Sequence, residues 1–451
     1  MTRCCARNSP RAGTSWCGTA SPQKPWRTPT FNSTNLFPAG TMATTLSNQS
    51  PAPSSQEETR ARAIKVFMMD LWSTVPYYDA YLCQALRSEN VSVHLGAITY
   101  YLDPDCFSMR GIRNRPGLLD IVGRFKLPGG LRKLLKFLES GINAAALMLR
   151  FAFSRPDVIH VQYLPMLALH LPFDFWFLRY CRWRGCKLVC TVHDLLPSDT
   201  GEKHRQIFQK LYEMMDALIC HSGAVKEELF HQFQFERERI HVIPHGPFFY
   251  DFPLVSPEEA RRKLGIGADE CLVLWQGIIR PYKGVEFLLE AWKLVQQAGV
   301  HAHLLVAGTG DPSLLASIQE KVNALGLNNA VDLRFEFAPS EEMLSYYQAA
   351  DIVVYPYKTV TTSGALMTGV TQGKAIVATS LPPFRELLQD GQNALLCNYG
   401  DAPQLTAALL KLIQNPSLRN QLASEAAALN LGEQMWQQIA QQTAACYGAV
   451  L

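Results

Sequence analysis

The chain of 451 residues carries a formal net charge of +3 at pH 7, and 48% of its residues are hydrophobic. This length exceeds what one hydrophobic core usually serves, so we expect two domains, and the small net charge argues against nucleic acid as the main partner. The twelve cysteines form no Cys-x-x-Cys pair and no Cys/His ligand spacing, which argues against a zinc site or a disulfide framework and predicts a reducing, cytoplasmic location.

Residues 1–62 form a polar segment that is rich in Ser, Thr, Pro, Asn and Gln. The segment has no apolar run long enough for the core of a signal peptide, and its composition predicts a disordered tail. Met42 lies within it, so translation could start there instead of at Met1. No stretch elsewhere reaches the roughly 18 uninterrupted apolar residues of a membrane-spanning helix.

Short apolar runs alternate with helical patterns along the rest of the chain. This alternation predicts parallel sheets with helices on both faces. The predicted strands cover residues 64–69, 91–95, 157–161, 187–192, 216–220 and 240–243, and then 271–276, 303–307, 331–335, 351–355 and 375–378.

A break rich in Phe and Pro near residues 248–257 separates the two series of strands and indicates a linker. We therefore predict an α/β protein with two doubly wound, Rossmann-like domains, residues 63–250 and 251–430. A final helix over residues 431–451 has enough apolar surface to pack back on the first domain. Such folds bind ligands at the carboxyl ends of their strands, which here face a central cleft.

The stretch Thr361-Thr362-Ser363-Gly364 precedes a short predicted helix. The free N–H groups and the positive dipole end of a helix that starts here would face whatever lies above Gly364. This arrangement is typical of an anion site at a helix N-terminus. The alternative is an ordinary capped helix between two strands.

Two cations, Arg280 and Lys283, lie three residues apart on the connection between a predicted strand and a predicted helix. Because they lie outside the helix, both can reach into the cleft. A fixed Arg/Lys pair stabilises the negative charge that a departing diphosphate gathers, and it does so without a metal. The alternative is a solvated loop with two surface charges.

Glycine and histidine residues follow other predicted strands. Gly308 and Gly310 would let the backbone approach a ligand, although Ser313 stands where a dinucleotide fingerprint needs its third glycine. His193 could hydrogen-bond a sugar hydroxyl, and Asp194 could orient it or bind an acceptor. A satisfied structural His–Asp pair explains these two residues equally well. His221 and His245 also follow strands, and His245 could simply hold the loop at the domain junction.

The segment between Arg110 and Arg155 contains ten Lys and Arg residues but only two acids, Asp120 and Glu139, with Leu and Phe interleaved. This composition is typical of an interfacial helix that binds anionic lipid headgroups. A core helix with a basic solvent face shows the same pattern, so both interpretations remain open.

Taken together, these residues resemble the group 1, family 4 glycosyltransferases of the GT-B fold, from about Ile64 to the C-terminus. The resemblance is most specific over residues 277–290, 308–311 and 361–396, where Glu386 is placed as in the family. It implies a retaining transfer of a sugar from a nucleoside diphosphate sugar, without a metal or another cofactor. The second domain would hold the donor and the first domain the acceptor.

The resemblance also implies roles for individual residues. Arg280 and Lys283 would stabilise the diphosphate and His193 would touch the donor sugar, which makes these three the catalytic candidates. The acceptor-side candidates are Tyr77, Tyr78 and Asp194. The donor-binding candidates are Gly277, Gly308, Gly310, Ser363, Gly364, Ala365, Thr368 and Glu386.

Three features of the sequence depart from the family pattern. Ile278 stands where the family often has an arginine, and Arg280 would substitute for it from two residues on. Residues 75–78 replace the N-terminal glycine loop. The two glutamates of the family would fall at Val360 and Thr368, so the chain resembles a subset with a Thr-Ser-Gly motif, many members of which act on lipid-linked saccharides for exported polysaccharides.

We therefore expect a glycosyltransferase that acts on a saccharide acceptor, which could be lipid-linked, and that contributes to exopolysaccharide or cell-surface glycan synthesis. It would be cytoplasmic and could lie peripherally on the inner face of the membrane. Two alternatives remain open. One is a different enzyme on the same fold, such as a nucleotide-sugar epimerase or a phosphorylase, and the other is a non-catalytic, membrane-associated partner that kept the fold.

Overall fold

The computed structural model describes residues 62–451 except 116–117, 126–127, 165–166, 168–172 and 197–200. The predicted disordered tail lies outside the described residues, apart from Arg62 at its end. Within the described part of the chain, no helix combines the length and the apolar composition that crossing a membrane requires.

The first domain is built on six parallel strands whose side chains are mostly buried, as expected for a sheet covered on both faces. The strands are β1 (Ile64–Asp70), β2 (Val91–Gly96), β3 (Val158–Tyr163), β4 (Lys187–Thr191), β5 (Ala217–Cys220) and β6 (Ile240–Val242), and they lie in the order β2-β1-β3-β4-β5-β6. The helices are α1 (Pro76–Ala85), α2 (Gly129–Phe153), α3 (Phe173–Trp183), α4 (Arg205–Glu213) and α5 (Gly223–Phe233).

The second domain repeats this plan. Its strands are β7 (Cys271–Gln276), β8 (Ala302–Ala307), β9 (Val331–Arg334), β10 (Ile352–Tyr355), β11 (Ala375–Thr379) and β12 (Leu395–Cys397), in the order β12-β11-β10-β7-β8-β9. The helices that the structure describes from residue 257 onward are α6 (Pro257–Leu264), α7 (Val285–Gln297), α8 (Pro312–Leu325), α9 (Ser340–Ala349), α10 (Gly364–Thr371), α11 (Pro382–Arg385), α12 (Ala402–Gln414), α13 (Pro416–Ala427) and α14 (Glu433–Val450).

The prediction of two doubly wound sheets is confirmed, and the strand order shows where each sheet can bind a ligand. The order reverses between β1 and β3 in the first sheet and between β7 and β10 in the second. At such a switch point the connecting loops run to opposite faces and leave a crevice at the carboxyl ends of the strands. The loops after β7, β8 and β10 carry the predicted donor site.

The last helix, α14, packs against α1 of the first domain. The indole ring of Trp436 stacks on Tyr81, with ring centroids 5.5 Å apart and planes 12° from parallel. Its ring N–H donates a hydrogen bond to the carbonyl oxygen of Pro247 at 2.7 Å. Burial of this large aromatic ring ties the end of the chain to the segment that connects the two domains.

One side of α2 presents an exposed apolar stripe. These residues recur every three or four positions along most of the helix, and their exposed fractions lie between 47% and 87%. They are Leu131, Leu134, Leu138, Ile142, Leu149 and Phe153. Arg124, Arg132 and Arg155 are exposed in and beside this helix.

Arg110 does not belong to this basic surface, contrary to its place in the sequence pattern. Only 5% of the residue is exposed. Its guanidinium donates to the two carboxylate oxygens of Asp251 at 3.2 and 3.1 Å, and it lies 3.9 Å from the ring centroid of Tyr81. The residue therefore holds the linker between the domains, and its charge is neutralised there.

Candidate active site

A cavity of about 340 Å³ lies between the carboxyl ends of the two sheets. Residues from both domains line it, as the cleft prediction requires. The sequence-predicted residues on its wall are Tyr77, Tyr78, His193, Asp194, Gly277, Lys283, Gly308, Gly364, Ala365 and Thr368. An adjoining cavity, which shares His193, Asp194 and Lys283 with the first, contains Arg280.

The loops after β7 and β8 lie side by side because glycines occupy their closest points. The N–H of Gly277 donates to the carbonyl oxygen of Ala307 at 3.1 Å, and the N–H of Ile279 donates to that of Thr309 at 2.7 Å. A Cβ on Gly308 would lie only 1.9 Å from the carbonyl oxygen of Gly277. These glycines therefore leave a bare backbone surface at the floor of the cavity.

Lys283 is positioned over this glycine floor by the short turn Pro281–Lys283. Its Nζ lies 3.1 Å from where a Cβ on Gly277 would be and 5.7 Å from the ring centroid of Tyr357. Burial and the positive charge of Arg280 lower the pKa of Lys283 to about 8, against the opposing effect of Asp194. An anion bound beside Lys283 and Arg280 would relieve the mutual repulsion of these two cations.

Helix α10 begins at the cavity with a capped first turn. Ser363 is the N-cap residue, and its hydroxyl accepts a hydrogen bond from the N–H of Leu366 at 3.1 Å. The next N–H, that of Met367, donates to the carbonyl oxygen of Ser363. The N–H groups of Gly364 and Ala365 come before the first intrahelical bond and lie at the cavity wall. The helix is therefore capped and still offers two amides to a ligand.

Thr368 stands at one of the two positions where the resemblance places a family glutamate, and Val360 stands at the other. The Thr368 hydroxyl donates to the carbonyl oxygen of Gly364 at 2.9 Å. Tyr355 and Tyr347 donate from the other side to the carbonyl oxygen of Ala365, at 2.7 and 3.3 Å. These bonds hold the first turn of α10 in place, and the Thr368 oxygen can still accept a bond from a ligand hydroxyl.

His193 is bonded to a residue of the neighbouring strand. Its Nε2 lies 2.8 Å from the amide oxygen of Gln162, and its ring packs edge-on against Tyr78 with centroids 4.9 Å apart. Burial, with His221 and His245 nearby, lowers the pKa of His193 well below its ordinary value, so the ring is neutral at pH 7. Because Nε2 donates to Gln162, Nδ1 is the acceptor and can receive a hydrogen bond from a ligand hydroxyl.

His245 and an aromatic residue after it lie directly against the start of α10. A Cβ on Gly364 would be 3.3 Å from Cε1 of His245 and 2.5 Å from a ring carbon of Phe248. Both side chains belong to the first domain or the linker and line the cavity. His245 therefore does more than hold a loop, since it closes the cavity beside the predicted anion site.

Several cavity residues escaped the sequence analysis. The segment Glu336–Ala338 and the side chains of Gln276, Met343 and Tyr346 line the second-domain wall. Glu336 directly follows the predicted strand over residues 331–335, so the same strand-end rule that selected Gly308 could have found it. Met343 and Tyr346 carried no such signal, because they project from α9.

Glu386 lies in a contact between the two domains. Its carboxylate accepts hydrogen bonds from the N–H groups of Gly223 and Ala224 at 3.0 and 2.9 Å, at the start of α5. A carboxylate at a helix N-terminus is favoured by the free amides and by the helix dipole. Glu386 does not line either of the two cavities described above. Its predicted contact with the donor remains a prediction.

Asp103 forms a second bridge between the domains. Its carboxylate accepts from the hydroxyl of Tyr77 at 2.8 Å and from that of Ser340, at the start of α9, at 3.1 Å. Tyr77 is thus oriented by a residue that also touches the second domain.

Within the described ranges, no group of three or more His, Cys, Asp or Glu residues is arranged to hold a metal ion.

Family models match both domains of the chain. A model described as Glycosyltransferase Family 4 matches residues 78–246, and one described as Glycosyl transferases group 1 matches residues 270–415. Between them they include the loops after β4, β7, β8 and β10, which form the cavity.

Curated relatives carry the name D-inositol 3-phosphate glycosyltransferase. The protein of Thermobispora bispora is 27% identical over 320 residues, which is 66% of this chain and 71% of that protein. The protein of a Nocardioides species is 24% identical over 401 residues, 82% of this chain and 84% of that protein.

Solved structures share the fold at low sequence identity. Sucrose-phosphate synthase of Thermosynechococcus elongatus superposes with a TM-score of 0.65 at 19% identity, over 86% of this chain and 98% of that protein. Anabaena HepE, solved in complex with UDP and glucose, superposes with a TM-score of 0.66 at 18% identity, over 85% of this chain and 99% of that protein. Glycosyltransferase models match both domains, and these solved structures share the fold. The protein therefore belongs to the group 1, family 4 glycosyltransferases of the GT-B fold and is a nucleotide-sugar-dependent glycosyltransferase.

Proposed function

We propose that the protein transfers a sugar, with retention of configuration and without a metal, from a nucleoside diphosphate sugar to a saccharide acceptor. The observation that carries this proposal is the meeting of Lys283, the glycine floor at Gly277 and Gly308, and the first amides of α10 at one cavity. These are the groups that a diphosphate needs. The binding of UDP and UDP-glucose by Anabaena HepE supports a uridine diphosphate sugar as the donor.

The bond between the anomeric carbon and the diphosphate oxygen would break while the acceptor hydroxyl attacks from the same face. Lys283, Arg280 and the N–H groups of Gly364 and Ala365 would stabilise the negative charge that develops on the diphosphate. The proton of the acceptor hydroxyl would pass to the departing diphosphate oxygen. His193 would accept a hydrogen bond from a hydroxyl of the donor sugar through Nδ1.

The hydroxyl groups around α10 support membership of this chain in the Thr-Ser-Gly subset of the family. In this proposal Thr368 accepts a hydrogen bond from the ribose of the donor, where other members would use a carboxylate. The hydrogen bonds from Tyr355 and Tyr347 to the carbonyl oxygen of Ala365 support the first turn of the helix. The loss of the two glutamates is then compatible with turnover.

Donor binding can be tested with a thermal-shift panel of nucleotide sugars, because a ligand that binds only the folded state stabilises it by mass action. We expect UDP-glucose or another nucleoside diphosphate sugar, at about 100 times its Kd, to stabilise the fold by about 2.7 kcal/mol. UDP alone should stabilise in the same way. If no nucleoside diphosphate or its sugar shifts the melting temperature, the enzyme proposal fails.

Donor affinity should also depend on pH through Lys283. Its pKa of about 8 means that the ammonium form, which binds the diphosphate, is lost as pH rises through that value. We therefore expect the affinity for UDP-glucose to be constant near pH 7 and to fall above pH 8, approaching tenfold per pH unit. The Lys283→Arg variant, which stays charged, should lose this dependence. A wild-type affinity that is unchanged up to pH 9.5 would contradict the assignment of Lys283.

We further propose that the acceptor is a lipid-linked saccharide and that α2 holds the protein at the cytoplasmic face of the membrane, in the synthesis of exported or cell-surface glycans. The exposed apolar stripe on α2 and the exposed arginines near it support this proposal. Apolar side chains would enter the headgroup region while the guanidinium groups pair with anionic lipids.

Vesicle pelleting tests the membrane proposal. We expect the protein to pellet with vesicles that contain phosphatidylglycerol, and to do so less as salt screens the arginines. A Leu131→Asp/Leu134→Asp variant should bind at least tenfold more weakly, because burial of a leucine contributes about 1.5–3 kcal/mol. Leu254→Asp, at a leucine of the linker with 71% exposure, is the matched control. Absence of pelleting at low salt, or pelleting that salt does not affect, would count against the proposal.

A further inference from the structure

The adjoining cavity of about 390 Å³ lies on the first-domain side of the candidate active site. It opens at His193 and Asp194, which it shares with the donor cavity. Near this opening its wall is polar, with Gln162 and Thr191 from β3 and β4. An acceptor hydroxyl placed beside Asp194, which lines both cavities, would therefore have its own sugar ring in this cavity.

Another part of the wall of this cavity is apolar. Leu164 and Leu167, which follow β3, and Leu211 of α4 line it, and each is at most 5% exposed. Phe208 of α4 is only partly buried and lines the same wall. A substituent that replaces water against these side chains gains the free energy of apolar burial, which is about 0.8 kcal/mol for each CH₂ group.

Among the described lining residues of this cavity, the first domain supplies no Lys or Arg for an anionic acceptor. The Lys and Arg that the structure describes on this wall are Arg280 and Lys283, both from the second domain. A bound diphosphate would neutralise them and leave the carboxylate of Asp194 on the acceptor side. The neighbouring sequence adds no permanent cation, since residues 165–172 and 197–200 contain no Lys or Arg.

We propose that this cavity takes an uncharged sugar ring that carries an apolar substituent, and that it rejects a phosphorylated polyol. The inference rests on the proposed transferase function and deepens it by naming the acceptor class. It separates this chain from its curated relatives, whose name gives D-inositol 3-phosphate. An anionic group of a larger lipid-linked acceptor would then lie outside this cavity.

Binding of small acceptor probes to the full-length protein saturated with UDP tests the proposal. The probes are methyl β-D-glucopyranoside, octyl β-D-glucopyranoside below its micellar concentration, and glucose 6-phosphate, measured by competition in saturation-transfer NMR. We expect the octyl glycoside to bind at least tenfold more tightly than the methyl glycoside, because seven additional CH₂ groups are buried in part. Glucose 6-phosphate should bind more weakly than the methyl glycoside.

Variants test whether the preference for the octyl glycoside over the methyl glycoside arises in this cavity. Phe208→Ala should remove most of the octyl preference while the melting shift by UDP persists, and Phe230→Ala, on α5, should leave it intact. Asp194→Asn should improve the binding of glucose 6-phosphate several-fold, since it removes a nearby like charge. The Leu131→Asp/Leu134→Asp variant should keep the octyl preference, which excludes binding at the stripe on α2.

Three outcomes would overturn the inference: tighter binding of glucose 6-phosphate than of the methyl glycoside, equal binding of the two glycosides, or an octyl preference that survives Phe208→Ala. Binding of UDP without binding of either glycoside would overturn it as well. A protein that fails to bind UDP in the same samples refutes the proposed function itself, so the two failures are distinguishable.

Discussion

Replacement of Lys283 by alanine is expected to lower the transfer rate by about 10²–10³-fold, the loss seen when one group that stabilises a developing oxyanion is removed. The ammonium lies on the glycine floor of the cavity, where burial strengthens its interaction with a diphosphate. Initial rates of UDP release with a saturating donor would measure the loss. Lys263→Ala, at an exposed ion pair with Glu259 on α6, is the control and should retain full activity.

The stability of the Lys283→Ala variant separates this role from a structural one. The folded state depresses the pKa of Lys283 to about 8, so the charged form is less favourable in the folded than in the unfolded chain. This cost is present below pH 8 and disappears as pH rises toward the ordinary lysine value. The variant should therefore melt no lower than wild type at pH 7 and should lose most of the shift by UDP-glucose. Unchanged turnover would disprove the assignment of the leaving-group site.

Gly308→Ala is expected to disrupt the donor site more completely than any charge removal. The new Cβ would lie 1.9 Å from the carbonyl oxygen of Gly277, and Gly308 has φ +147°, which disfavours any side chain. The obstructing oxygen belongs to the backbone, so no side chain can rotate away. The loops after β7 and β8 must separate, and strain and overpacking together cost about 2–6 kcal/mol.

We expect the Gly308→Ala variant to melt several degrees lower and to bind UDP-glucose at least 100-fold more weakly, as measured by calorimetry. Gly299→Ala separates the two causes, because Gly299 also has positive φ, +70°, but a Cβ there meets no atom within 4 Å. That control should lose about 1 kcal/mol of stability and bind the donor normally. Donor binding by Gly308→Ala that equals wild type would mean that the two loops do not form the site.

Features that depend on residues close together in the sequence could be predicted from the sequence alone. The alternation of apolar runs specified two parallel sheets, and the glycines after one strand marked Gly308 and Gly310 as points of close backbone approach. Arg280 and Lys283 share one short connection, so any fold that places one at the strand end places the other nearby. Ser363 caps α10 through a bond that spans three residues. The free energy of these features comes from local conformation and periodic burial, which a single sequence displays.

The partners of several side chains depended on contacts between distant parts of the chain. Glu386, whose contact with the donor remains a prediction, bonds to the start of α5, more than 160 residues away. Arg110 looked like a surface charge, yet it is buried against Asp251. The bond between His193 and Gln162 joins two strands, so the tautomer of His193 is set by that pairing.

The sequence by itself determined the two-sheet architecture, the glycine floor and the cation pair, because local propensity and periodic burial specify them. The tertiary structure decided that Thr368, Tyr355 and Tyr347 support the first turn of α10. It also decided that the adjoining cavity has an apolar part of its wall. Both depend on which surfaces meet across the cleft, and burial against a distant segment leaves no periodic trace in a single sequence.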